Sequence, residues 1–325
     1  MTVFVIRRLL QAALVVLIMS LLVFGGVFLV GDPVEMLVAD DADQAEREMM
    51  IKSMGLDLPF YLQYLRFIGN ALQGDMGNSF VFQESAMHLI AERMPATFEL
   101  AFAALFIAVV LGIPLGIYAG LNANSWISKT IMTSSILGFS LPTFWVGIMM
   151  ILFFAVIMGW LPSSGRGDTV NVFGIPISLL TLDGLSHMLL PAVNLALFKL
   201  SMVIRLARAG TREVVHQDYI KFARAKGLSD TRIIGVHLFK NIMIPVVTVL
   251  GLEFGGLVAF SVVTETVFAW PGMGKLLIDS INFLDRPVIV AYLMFVVVLF
   301  VCINLIVDVL YSVLDPRVRL QEMKS

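Results

Sequence analysis

Residues Asp218 to Pro245 read DYIKFARAKGLSDTRIIGVHLFKNIMIP, a basic, water-loving stretch set between long apolar ones. From Arg205 to Lys240 there are eight cationic residues, Arg205, Arg208, Arg212, Lys221, Arg224, Lys226, Arg232 and Lys240, against three acids, Glu213, Asp218 and Asp230. Ala223, Ala225 and Gly227 are small, and Gly227 can supply a bend that a residue with a Cβ would resist. Tyr219, Phe222, Arg224 and Lys226 offer an aromatic and cationic face. A compact knob of this kind, held between two membrane spans, suits a groove on another protein.

The surroundings of the knob are those of a membrane protein. Of the 325 residues 59% are hydrophobic and 14% charged, with a mean hydropathy of +0.92, whereas a soluble domain carries about 25% charged residues. The single Cys302 lies in an apolar run, so no internal disulfide supports the fold. The opening run Leu9–Val30 has 22 uncharged residues and no small-residue exit for cleavage, which predicts a retained first span.

A crossing helix needs about 20 apolar residues. Leu9–Val30, Leu100–Leu121, Thr130–Gly165 and Val288–Val307 qualify cleanly, the third being longer than one span requires and containing Pro142. Ser186–Ile204 and Ile244–Val263 qualify despite Lys199 and Glu253. The expectation is an all-α integral membrane protein with six transmembrane helices. It divides into a first segment 1–31, a helical cap loop 32–96 outside the cytoplasm, and a core 97–325 whose cytoplasmic loop covers 208–245. With both termini inside, fourteen Lys or Arg fall on the cytoplasmic side and seven outside, as the positive-inside rule requires. In the cap, Phe60–Leu72 and Glu84–Met94 have helical apolar spacing, separated by the turn-forming GDMGNS, Gly74–Ser79. The loop Gly159–Ser186 is expected to be partly extended, and Phe268–Lys275 to form a tight turn.

Gly112, Gly116 and Gly120, and again Gly251 and Gly255, stand at the four-residue spacing that lets helix backbones approach. They serve either packing within one bundle or contact with a second membrane subunit. Lys199 and Glu253 fall at similar depth from the cytoplasmic side, and an unpaired charge there costs at least ~2.5–3.5 kcal/mol. Three readings are open: Lys199 snorkelling to the surface, a structural Lys199–Glu253 pair, or lining of a substrate path. Glu99 and Glu265 read as interfacial caps at outer span ends.

No catalytic pattern is found. GMGK, Gly272–Lys275, has only the tail of a phosphate-binding loop, with Leu276 where Ser or Thr is needed. His88, His187, His216 and His237 are scattered and show no metal-ligand spacing. Both absences favour a conduit over an enzyme, with no bound cofactor or metal.

The central stretch resembles the cytoplasmic coupling loop of ABC-importer permeases, in the form found in the dipeptide/oligopeptide/nickel family. FVIRRLL near the N-terminus, GDP (Gly31–Pro33), GLDLPFYLQY (Gly55–Tyr64), QGDMGNS (Gln73–Ser79), TETVFAWPGMG (Thr264–Gly274) and LIVDVLYSVLDPRVR (Leu305–Arg319) are similar to that family's first permease subunit. Lys221 stands where the wider superfamily has Glu, and Pro245 lies farther from Gly227 than in that superfamily. The resemblance implies a type I ABC importer permease fold in a bacterial inner membrane. Tyr219, Ala223, Arg224, Ala225, Lys226 and Gly227 would then belong to a coupling helix docked on a cytoplasmic ATPase. It also implies a homologous second permease, two ATPases carrying ATP and Mg, an extracytoplasmic binding protein, surrounding lipid and no nucleic acid. The cargo would be dipeptides or oligopeptides, or alternatively nickel chelates, glutathione or other small conjugates.

Overall fold

The computed structural model describes residues 2–27, 44–53 and 57–314. The GDP motif at Gly31–Pro33 and the basic residues Arg317, Arg319 and Lys324 lie outside the described residues. Five helical segments are long and apolar enough to cross a membrane: Ile6–Val27, Ala86–Leu121, Leu182–Val215, Pro245–Val267 and Arg286–Val307. A bent helix pair makes a sixth crossing if it is counted as one span. The chain forms two compact units, 1–97 with 271–305, and 98–270 with 306–325.

In the first unit, α1 (Thr2–Val27) exposes Leu10, Leu14, Leu17 and Leu22, as a lipid-facing helix must. After α2 (Gln44–Ser53) comes α3 (Phe60–Ala71), which packs against α1 through rings. Phe24 stands 5.5, 5.6 and 5.2 Å from the ring centres of Phe60, Tyr64 and Phe67, and Ser20 Oγ is 2.8 Å from the Tyr64 hydroxyl. Within the GDMGNS turn, Gly77 N–H donates to Asp75 Oδ1. Helix α4 (Ala86–Leu121) then begins and runs without a break for 36 residues. The stretch Glu84–Met94 is therefore not a separate cap helix. The helix continues through Pro95, and the stretch becomes the first turns of the span itself.

In the second unit, the glycine stripe of α4 faces α7 (Leu182–Val215). A Cβ on Gly112 would lie 2.7 Å from Val203 Cγ1, one on Gly116 2.6 Å from the Ala207 Cβ, and one on Gly120 2.5 Å from the Thr211 Cβ. These approaches leave no room for a Cβ on α4, so the stripe is used inside the chain. Gly251 likewise meets Val307, at 2.9 Å for an added Cβ. The core around them gathers Ala108, Ile113, Val203, Ala207, Ile242, Val246 and Leu250.

Between α4 and α7 the long uncharged stretch folds as α5 (Trp126–Ser140) and α6 (Thr143–Met150), the latter continuing as a π-helical stretch Ile151–Ile157. The two limbs meet at 107°. Proline excludes its predecessor from helical geometry, and Leu141 is extended at φ −82, ψ 138. This elbow absorbs the residues that exceeded one span in the sequence. Strands β1 (Val170–Val172) and β2 (Ile175–Ile177) follow as an antiparallel hairpin. Its Phe173 and Gly174 both have positive φ, the two-residue turn that suits strand twist.

Helix α7 extends well past the apolar stretch Ser186–Ile204 at both ends. Thr181 caps its start by accepting from Gly184 N–H. After it come α8 (Asp218–Ala225), a turn Asp230–Arg232, a π-helical stretch Ile233–Leu238 and α9 (Phe239–Val267), with Pro245 inside α9. The stretch 208–245, expected as a loop, is thus mostly helical. Only His216–Gln217 and Lys226–Ser229 interrupt it, because the flanking spans carry their helices out through the polar residues. Two further helices, α10 (Met273–Asn282) and α11 (Arg286–Leu314), complete the described residues.

Candidate functional site

The knob is α8 and its exit turn. Ile220 and Ala223, one helical turn apart, are buried against Ile233, with Val214 and Leu228 beside them. The helix ends in a double hydrogen-bonded stop: Gly227 N–H donates to Arg224 O at 2.9 Å and Leu228 N–H to Ala223 O at 3.2 Å. This is the Schellman arrangement, which requires a left-handed residue at Gly227, here at φ +78, and seats the next apolar residue against the helix.

The residues singled out in the sequence therefore divide. Ala223 turns inward to the chain's own core, while Tyr219, Arg224, Ala225, Lys226 and Gly227 are exposed. The Tyr219 hydroxyl accepts from Asn241 Nδ2 at 3.0 Å, tying the knob to α9. Lys226 Nζ lies 4.6 Å from the centre of the Phe222 ring, and Lys221 pairs with Asp218 at 2.9 Å. The hydrogen bond and charge of Lys221 hold the Asp218 carboxyl below its usual value, and burial pushes the Tyr219 phenol up. Asp218 stays ionised and Tyr219 neutral at physiological pH. A side chain at Gly227 would meet no atom within 4 Å, so the space beside the turn is open.

Lys199 of α7 and Glu253 of α9 are brought together as an ion pair through Nζ and Oε2. The lysine is buried and the glutamate about one-third exposed. Gly256 borders the pair, where an added Cβ would stand 3.8 Å from Glu253 Oε2.

Three polar centres escaped the sequence reading. Glu99 is buried rather than a surface cap. It accepts from Arg166 Nη2, from Ser178 N and Oγ, each at 2.7 Å, and from Leu179 N at 2.8 Å, which anchors the residues after β2. Glu265 is also fully buried and accepts from Ser261 Oγ at 2.8 Å. In the first unit, buried Asp285 accepts from Ser79 Oγ and from Phe80 N–H, which joins the end of the GDMGNS turn to the residues before α11. Arg166 was the available signal for Glu99, as the one Lys or Arg between Lys129 and Lys199. Asp285 carried no sequence signal, since it depends on backbone donors 204–205 residues away. Among the described residues, no group of three or more His, Cys, Asp or Glu could hold a metal ion.

Residues 1–101 match the model of the N-terminal part of binding-protein-dependent transport system membrane components. Residues 112–320 match that of the binding-protein-dependent transport system inner membrane component. The chain belongs to this family. The permease is 38% identical over 316 residues to the di/tripeptide transport system permease protein DppB of Pseudomonas aeruginosa (strain UCBPP-PA14), covering 93% of this chain and 94% of the relative. It is also 38% identical over 317 residues to the glutathione transport system permease protein GsiC of Escherichia coli (strain K12), covering 97% and 98%. Among solved structures it is similar to the MetNI methionine ABC transporter in its inward-facing conformations, with a TM-score of 0.55 and 19% identity. That match covers 70% of this chain and 97% of the other, and it supports the importer permease fold. The permease is thus a non-catalytic inner-membrane subunit of an ABC importer.

Proposed function

We propose that this permease forms half of the translocation path of an ATP-driven importer of dipeptides or oligopeptides, and that α8 is its coupling helix. The observation that carries the coupling role is the rigid, exposed knob closed by the Gly227 turn. Its inner face is spent on Ile220 and Ala223, and its outer face of Tyr219, Phe222, Arg224, Ala225 and Lys226 is left for a partner. That face would dock in a cleft of a cytoplasmic ATPase, one of two that bind ATP and Mg. A homologous second permease would complete the path, and an extracytoplasmic binding protein would deliver cargo. Both termini would then lie in the cytoplasm. Lys199 and Glu253 would pin α7 to α9, each charge compensating the other inside the bilayer.

The peptide assignment draws on relatives matched over nearly their whole length whose names specify peptides. Glutathione, itself a small peptide conjugate, is the second reading, favoured by relatives of equal identity. Purification of the tagged permease from its native membrane in mild detergent, followed by an ATPase assay, tests both. Two ATPases and a second permease should co-purify, with turnover raised by a peptide-loaded binding protein. Stimulation by glutathione alone would select the second reading, and a permease without ATPase partners would overturn the coupling role.

A further inference from the structure

A groove of about 330 Å³ lies between α4, α5 and α7, with Leu115, Ile127, Ile131, Leu197, Leu200 and Ile204 among its walls. Three of the four hydroxyls along it are turned to backbone carbonyls, Thr130 to Trp126 O, Ser135 to Ser201 O and Ser201 to Leu197 O, which leaves that of Ser134. Apart from Ser134, the surface left for an occupant is mostly carbon, which suits a hydrocarbon chain and offers a peptide's amides little. From Trp126 to Gly138 the α5 wall is about 18 Å long at 1.5 Å per residue. One leaflet of a ~30 Å hydrocarbon core is about 15 Å deep.

The end of the groove is charged. Helix α5 runs antiparallel to α7, since Gly138 faces Ser201 while Ser128 Oγ bonds Ala119 O near the end of α4, where Gly120 meets Thr211. Trp126, largely exposed at the start of α5, therefore lies toward the C-terminal part of α7. There Leu200, Ile204, Arg208 and Arg212 follow at four-residue intervals, so the apolar stripe continues into two arginines on one face. Arg208 Nε is buried with no hydrogen-bond partner, and neither arginine has an ion-pair partner among the described residues. An indole at the mouth and cations beyond it are the arrangement of a membrane interface.

We propose that this groove is a site for an anionic phospholipid, with one acyl chain between α5 and α7 and the phosphate held by Arg208 and Arg212. The site requires only that the chain is embedded in a bilayer, so it does not rest on the identity of the cargo.

The test uses the permease with its co-purifying subunits, reconstituted in nanodiscs. The nanodiscs carry phosphatidylglycerol or phosphatidylcholine with a diazirine on the acyl chain, and cross-linked peptides are mapped after illumination. The phosphatidylglycerol probe should label 126–138 and 197–204 severalfold more than the phosphatidylcholine probe. Arg212→Gln and Arg208→Gln should each reduce that labelling about fivefold, the worth of one cation near an anionic surface. Arg212 is exposed, so its variant keeps the test valid if Arg208→Gln fails to fold. Equal labelling by the two lipids, labelling only elsewhere, no labelling of the groove, or no effect of Arg212→Gln would overturn the site. So would finding the groove covered by a helix of another subunit.

Discussion

Arg166 reaches Glu99 across 67 residues of sequence, Nη2 to Oε2 at 2.7 Å, and both side chains are at least nine-tenths buried. The glutamate also accepts two backbone N–H groups and a hydroxyl, so its charge is compensated from several directions. Arg166→Met leaves that carboxylate without its cation. It should cost about 3–5 kcal/mol, the usual penalty for breaking a buried pair. Thermal unfolding of the detergent-solubilised complex measures it, and a wild-type midpoint would show that Ser178 and Leu179 suffice.

Gly227 separates two effects. Asn tolerates the left-handed conformation, so Gly227→Asn should preserve the helix stop, whereas Gly227→Val should disturb it at about 1–2 kcal/mol. Because the space beside Gly227 is open within the chain, uptake lost in Gly227→Asn with normal membrane level assigns the loss to docking. Normal uptake in both variants would remove α8 from coupling.

Gly116→Val forces a side chain into the 2.6 Å approach to Ala207. Overpacking typically costs about 1–3 kcal/mol, and here the neighbour is also backbone, Ile204 O at 2.7 Å from the added Cβ. Membrane abundance should fall sharply. Gly69→Val, at a position with no atom within 4 Å of an added Cβ, serves as the control and should express normally.

Lys199→Ala and Glu253→Gln, singly and together, form a double-mutant cycle on unfolding midpoint. Coupling of about 0.5–3 kcal/mol is expected for residues in direct contact. Additive losses would mean that the pair holds nothing, and would return Lys199 to a surface-seeking role.

Asp285→Asn should loosen the contact with Ser79 while keeping the shape of the side chain. One charged hydrogen bond is worth about 1.5–3 kcal/mol. Faster amide exchange confined to residues 79–82, with the spans unchanged, is the expected signature; unchanged exchange there would refute the clamp.

What the sequence disclosed follows the reach of each force. The spans were legible because twenty apolar residues in water are untenable wherever they occur. The knob was legible because its charge stands out between them. The orientation of Ala223 was available in the spacing of Ile220 and Ala223, yet the family resemblance counted it among the docking residues. The angle at Pro142 and the partners of Glu99 and Asp285 were hidden, because each is set by chain that returns from far away. Gly227 was recognised as a bend, but the two main-chain bonds that close it became visible only with the atoms in place.

The elbow at Leu141–Pro142 has a topological consequence. Five straight crossings, an odd number, place the two ends of a chain in different compartments. Counted as a single sixth crossing, the bent pair makes the number even, and an even number brings the end of the last span back to the side from which the first set out. Whether the bend at Leu141–Pro142 carries the chain through or turns it back thus sets the side on which the hairpin of β1 and β2 emerges.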